Sequence, residues 1–119
     1  MASRGRGARA KGANFERELA KKLRTELNIP AERGLAQTRG GGAEVADVHM
    51  DYIHVEAKRH KRCNIKAALR QAIADSEHKD KKPVAITKDD REPIMVTMLF
   101  EDWIEIFKSY VDIKENKDS

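Results

Sequence analysis

Two short runs rich in Val and Ile, residues 45–50 and 53–58, are separated only by Asp51-Tyr52 and predict an antiparallel hairpin. Its charged residues constrain the chain more than any other feature. Side chains alternate between the faces of a strand, so Ile53, Val55 and Ala57 share one face while His54, Glu56 and Lys58 share the other. In a hairpin symmetric about Asp51-Tyr52, Asp47 lies directly opposite Glu56. A one-residue slip would destroy that pairing. Two carboxylates facing each other across strands repel by roughly 0.2 to 1 kcal/mol, and a divalent cation between them removes the conflict. Carboxylate oxygens suit a hard cation, so Mg2+ is the expected cofactor, with Mn2+ able to substitute. The Lys58 ammonium beside such an ion can orient a water for in-line attack on phosphorus and offset charge in the transition state. Glu-x-Lys by itself is commonly an exposed salt bridge. The facing Asp47 turns the reading towards phosphodiester hydrolysis.

The rest of the chain reads as one α/β domain, which its 119 residues are enough to build. Phe15, Leu19, Leu23 and Leu27 recur every four positions and predict a first helix from about Asn14, stopped at Asn28-Ile29-Pro30. A short strand is expected around residues 35–38, then a flexible loop or close ligand approach at Gly40-Gly41-Gly42. Asn64 reads as the N-cap of a second helix carrying Ile65, Leu69, Ala72 and Ile73 and ending near Glu77. Residues 84–87 and 94–99 predict a second hairpin, and Trp103, Phe107 and Tyr110 mark a last amphipathic helix. The expectation is a central mixed β-sheet flanked by helices. Residues 1–12 are read as a flexible basic arm, 13–113 as the single domain and 114–119 as a polar tail.

Charge is unevenly distributed. Arg4, Arg6, Arg9 and Lys11 crowd the N-terminus, and Arg59, Lys61, Arg62, Lys66 and Arg70 form a second basic block beside Lys58. From residue 89 onward nine acidic side chains face four basic ones. One such block is ordinarily a solvated face, but two suit a polyphosphate partner that gives up condensed counterions. No stretch is apolar enough to span a membrane, the basic N-terminus lacks the apolar run of a secretory signal, and one cysteine, Cys63, excludes an internal disulfide. A cytoplasmic protein is expected, or one of the host cytoplasm if a phage encodes it.

Asp47 followed by Val55-Glu56-Ala57-Lys58 resembles the D...ExK signature of the PD-(D/E)XK nucleases. Lys11-Gly12-Ala13-Asn14-Phe15-Glu16-Arg17-Glu18-Leu19 is similar to the KGxxxEREL opening of the archaeal-type Holliday junction resolvases, which some phages also encode, and Arg39 matches that subfamily's arginine. The eponymous proline is replaced by Ala46. The resemblance implies a restriction-endonuclease-like fold and a metal-dependent homodimer that resolves four-way DNA junctions by paired symmetric cuts. Glu16, Asp47, Glu56 and Lys58 would form the active centre, the three carboxylates holding metal, while Arg39 and the backbone of Gly40 and Gly41 would hold phosphate. The alternatives are another PD-(D/E)XK nuclease, cutting duplex, flap or branched DNA, and a non-catalytic nucleic-acid-binding module. The last helix either joins the two protomers or caps its own sheet; both readings are open at this level.

Overall fold

In the computed structural model the described residues are 2–34 and 46–116, without the side chains of residues 2–6, 8 and 9. The first helix, α1 (Ala2–Leu27), buries Phe15, Leu19 and Ala20, as the apolar spacing requires. It starts well before Asn14 and takes in most of the segment expected to be an irregular arm. Ala, Arg and Lys are good helix formers, and extending a nucleated helix costs little, even though Gly5, Gly7 and Gly12 each carry a penalty of about 1 kcal/mol. Asn28 ends the helix in the left-handed region, φ 55°, with its N–H donating to the Arg24 carbonyl at 3.0 Å.

Directly after Pro30 comes a strand that the apolar pattern does not announce, β1 (Ala31–Arg33), paired antiparallel with β2 (Val48–Met50). The strand expected at residues 35–38 lies outside the described residues, as do Arg39 and Gly40 to Gly42. Next is β3 (Ile53–His60), entered through Tyr52 at φ 77°, and Val48 pairs with Val55 in the register expected from a turn at Asp51-Tyr52. The chain then crosses over through α2 (Ile65–Asp75) to β4 (Lys82–Asp89), parallel to β3, and returns in β5 (Met95–Met98), antiparallel to β4. Asn64 caps α2 as expected, its side chain accepting from the Ala67 N–H at 3.0 Å. The sheet order β1-β2-β3-β4-β5 is mixed, and the last element is α3 (Phe100–Glu115).

The two faces of the sheet are chemically different. Val48, Met50, Val55, Ala57, Val84 and Ile86 pack with Phe15, Leu19 and Ala20 of α1 into the apolar core. Alternation puts His54, Glu56, Ala85 and Thr87 on the opposite face, where the small Ala68 and Ala72 let α2 approach β3 and β4 closely. That face is polar, yet buried. No residue of α3 is buried, and no strand or helix packs along it, so α3 does not cap the sheet. Among the described residues, no helix is long and apolar enough to cross a membrane.

Candidate active site

Strand alternation on β3 carries the chemistry. Glu56 and Lys58 project to the same side and meet, the Lys58 Nζ lying 3.3 Å from a Glu56 carboxylate oxygen. Asp47 stands immediately before β2, where its N–H donates to the Val55 carbonyl at 2.9 Å and its Oδ2 accepts from the Ala57 N–H at 2.7 Å. One carboxylate oxygen of Asp47 is thereby fixed to the backbone of the strand that bears Glu56 and Lys58. Asp47, Glu56 and Lys58 are brought together as the hairpin register predicts.

The electrostatics follow from burial. Asp47 and Glu56 are both buried, whereas the Lys58 side chain is 41% exposed. Burial, reinforced by the neighbouring Asp47, pushes the Glu56 carboxyl up to about 7 against the opposing pull of Lys58. A second carboxyl on α2, Asp75, adds to the negative field around Glu56 and accepts from the Gln71 side chain at 2.8 Å. The site therefore concentrates buried negative charge, which a divalent cation would neutralise.

Glu16 reaches this neighbourhood from α1, but its carboxylate is held by Arg33 of β1 at 2.7 Å. Burial raises its affinity for a proton, the Arg33 hydrogen bond lowers it, and the nearby Asp47 raises it again. Among the described residues, no three of the His, Cys, Asp and Glu side chains are grouped to hold one metal ion, and Glu16 is engaged by Arg33. Asp47 and Glu56 are the pair that fits a cation. An all-oxygen pair completed by water suits a hard divalent cation.

Beside this pair an open cleft is lined by Lys58, His60, Arg62, Asn64, Ala67, Ala68 and Gln71. Lys61, Arg62, Lys66 and Arg70 are exposed, and Lys66 and Arg70 are one helical turn apart on α2. Arg59 and Lys11, both expected on nucleic acid, share one partner within the chain. Both bind Asp90, Lys11 at 3.3 Å, and Arg59 above all holds the Asp90 carboxyl below the usual carboxylate range. The fold brings the β4–β5 turn next to them, a proximity that the linear charge run does not show. Arg4, Arg6 and Arg9 fall within α1, with side chains outside the described residues.

Three residues of the site were not singled out by sequence reasoning. Arg33 and Asp75 are common polar residues with no motif around them, although Gln71 and Asp75 stand at the i, i+4 spacing of a helix pair. His54, which shares a strand face with Glu56, is almost wholly buried beneath α2, and its Nε2 has no hydrogen-bond partner among the described residues. Only the burial of both faces of β3 distinguishes it. Burial pushes the Cys63 thiol up, and the Cys63 N–H donates to Asp89 at 2.8 Å.

No curated protein and no solved structure matches the chain. A family model described as phage putative PDDEXK endonuclease matches residues 7–118, from the first turns of α1 to the end of α3. The D...ExK site on β2 and β3 of a mixed five-stranded sheet is the chemistry that this description names, and the chain belongs to the phage PDDEXK endonuclease family.

Proposed function

We propose that this protein is a divalent-metal-dependent endonuclease that resolves four-way DNA junctions by paired phosphodiester hydrolysis, acting as a homodimer on host or phage DNA in the cytoplasm. The observation that carries the reading is the meeting of Asp47, Glu56 and Lys58 beside an exposed basic strip, Arg62, Lys66 and Arg70. Within the family, the KGxxxEREL opening at Lys11 and the arginine at Arg39 favour the junction substrate.

Asp47 and Glu56 would hold Mg2+ or Mn2+, and the bound ion would supply a Lewis acid for the phosphoryl oxygen and a more acidic water. Asp47 is pre-aligned for this by the Ala57 N–H, and burial keeps bulk water from competing for both carboxylates. Lys58, held by Glu56, presents its ammonium to the phosphate or to the attacking water. Oxygen of water bonds to phosphorus, the bond from phosphorus to the leaving oxygen breaks, one proton of the attacking water passes to solvent, and the leaving oxygen takes a proton from solvent to end as a hydroxyl. Glu16 is a positioning residue, with Arg33 fixing its carboxylate at the edge of the site. Arg62, Lys66 and Arg70 neutralise flanking phosphates and supply affinity.

The test is cleavage of an immobile four-way junction against its linear duplex arms, with Mg2+, with Ca2+ and with chelator. Paired symmetric nicks in the junction with Mg2+, and binding without turnover with Ca2+, are expected. Asp47→Asn, Glu56→Gln and Lys58→Ala should each lower cleavage at least 100-fold and leave junction binding within a few fold, because the basic surface carries most of the affinity. Duplex cut as readily as junction would reject the junction reading, and a fully active Lys58→Ala protein would reject the nuclease reading as well.

A further inference from the structure

The heptad arrangement of α3 is unusually complete. Phe100, Trp103, Phe107 and Tyr110 recur at alternating three- and four-residue intervals, Ile104 and Val111 flank this seam on one side, and Ile106 and Ile113 flank it on the other. Glu101, Asp102, Glu105, Lys108, Asp112 and Glu115 take the remaining face. The rings form a ladder along the seam, with Trp103 to Phe107 centroids 4.9 Å apart and Phe107 to Tyr110 5.5 Å. Yet none of these side chains is buried, and Phe100 and Ile113 are 72% and 68% exposed. Such a wide apolar face belongs to a helix packed on more than one side, and among the described residues no strand or other helix packs along it.

The orientation of α3 is set by its polar face. Lys82 of β4 binds both Asp102, at 3.8 Å, and Glu105, so the charged side of the helix leans on its own domain and the aromatic seam is turned away. Next to it, β5 is the edge strand of the sheet and presents Met95 and Val96, 48% and 61% exposed, without the charges that usually blunt an edge. A sixteen-residue helix rich in aromatic and β-branched residues is marginal in water without tertiary packing.

We propose that α3, together with the outer edge of β5, is the surface on which two copies of this chain pair about a two-fold axis. Self-pairing is favoured by what the rest of the molecule lacks. Apart from Leu99, which joins β5 to α3, the only other exposed large hydrophobic side chains among the described residues are Leu27, Tyr52 and Ile73, each on a different element or turn, so among these residues the patch has no complement except itself. An interface in which the same patch serves both partners is the two-fold, closed kind. The apolar side chains of β5 and α3 leave on the order of 1,000 Å2 uncovered, which meets the roughly 800 Å2 per partner that a stable interface needs. This inference names the surface of the homodimer proposed above: a chain that stays monomeric would overturn both it and the paired-cut reading, whereas a dimer that does not cleave DNA would leave the interface standing.

The experiment is the mass of the full-length chain in solution by light scattering and sedimentation equilibrium, from 1 to 100 µM, without DNA. The wild type should weigh about 27 kDa, twice the 13.5 kDa chain. Phe107→Glu combined with Tyr110→Glu should give the monomer mass, whereas Lys108→Glu, on the polar face, should remain dimeric. Trp103, the chain's single tryptophan, reports independently of any substitution. In the wild type, dilution should increase its quenching by acrylamide several-fold and shift its emission to the red as the dimer separates. A wild-type chain that stays monomeric at 100 µM with freely quenched Trp103 overturns the proposal and leaves the surface to a different protein. A dimer that survives the double substitution overturns it too.

Discussion

Glu56 is the residue on which the site's energetics turn. Its carboxyl is pushed up to about 7 by burial first and Asp47 second, above the 4.5 of a free glutamate. The folded protein therefore holds the Glu56 proton more tightly than the unfolded chain does. The resulting stabilisation is fully present below about pH 4.5 and is lost as pH rises through about 7. In chelator, raising the pH from 5 to 8 should cost the wild type on the order of 2 kcal/mol more than it costs Glu56→Gln. Urea midpoints of the two proteins at both pH values measure this, and parallel pH profiles would show that Glu56 is ionised without penalty. His54 contributes oppositely: burial lowers its pKa, so its stabilisation is present above pH 6.5 and lost on acidification, equally in both proteins. The comparison isolates the carboxylate.

At the scale of elements, α1 joins two tasks. Its middle, Phe15 to Ala20, is core, and its beginning carries Arg4, Arg6 and Arg9 without any apolar stripe. Removing residues 2–10 should leave the core intact, lower the melting temperature by no more than a few degrees, and weaken binding to junction and duplex alike. The slope of log affinity against log salt should fall by roughly two to three units, about 0.9 for each phosphate that the arginines no longer neutralise. Titrations at several salt concentrations measure the slope, and an unchanged slope would remove these arginines from the DNA-binding surface. α2 is specialised differently: Ala68 and Ala72 bring it close to the sheet, Asp75 points in beside Glu56, and Lys66 and Arg70 face solvent. One helix therefore closes the site and lines the cleft.

For the whole molecule, resolution of a junction needs two cuts related by a dyad, and each chain has one Asp47–Glu56–Lys58 set. If each protomer of the dimer cuts one strand, equal amounts of wild type and Lys58→Ala, mixed under conditions that exchange subunits, should place one working site in about half of the dimers. Strand-labelled junctions resolved on denaturing gels should then show unpaired nicks that the pure wild type does not leave. A mixture that gives only paired cuts at reduced yield would mean that one protomer makes both incisions.

The hairpin about Asp51-Tyr52 was legible from the sequence because a strand's two-residue period ties the register that buries Val48 with Val55 to the one that sets Asp47 opposite Glu56. The N-cap at Asn64 and the seam of α1 were legible for the same reason: the relevant interactions span four residues or fewer. What the sequence could not decide depends on contacts between distant segments. Arg33 meets Glu16 across 17 positions and Arg59 meets Asp90 across 31, and no local pattern records either pairing. The last helix was ambiguous for a deeper reason: an amphipathic stripe specifies that something apolar must cover it, not whether that partner lies in the same chain. Only the tertiary structure, by tying the polar side of α3 to Lys82 and leaving Trp103, Phe107 and Tyr110 turned outward, showed that its own sheet does not cover it.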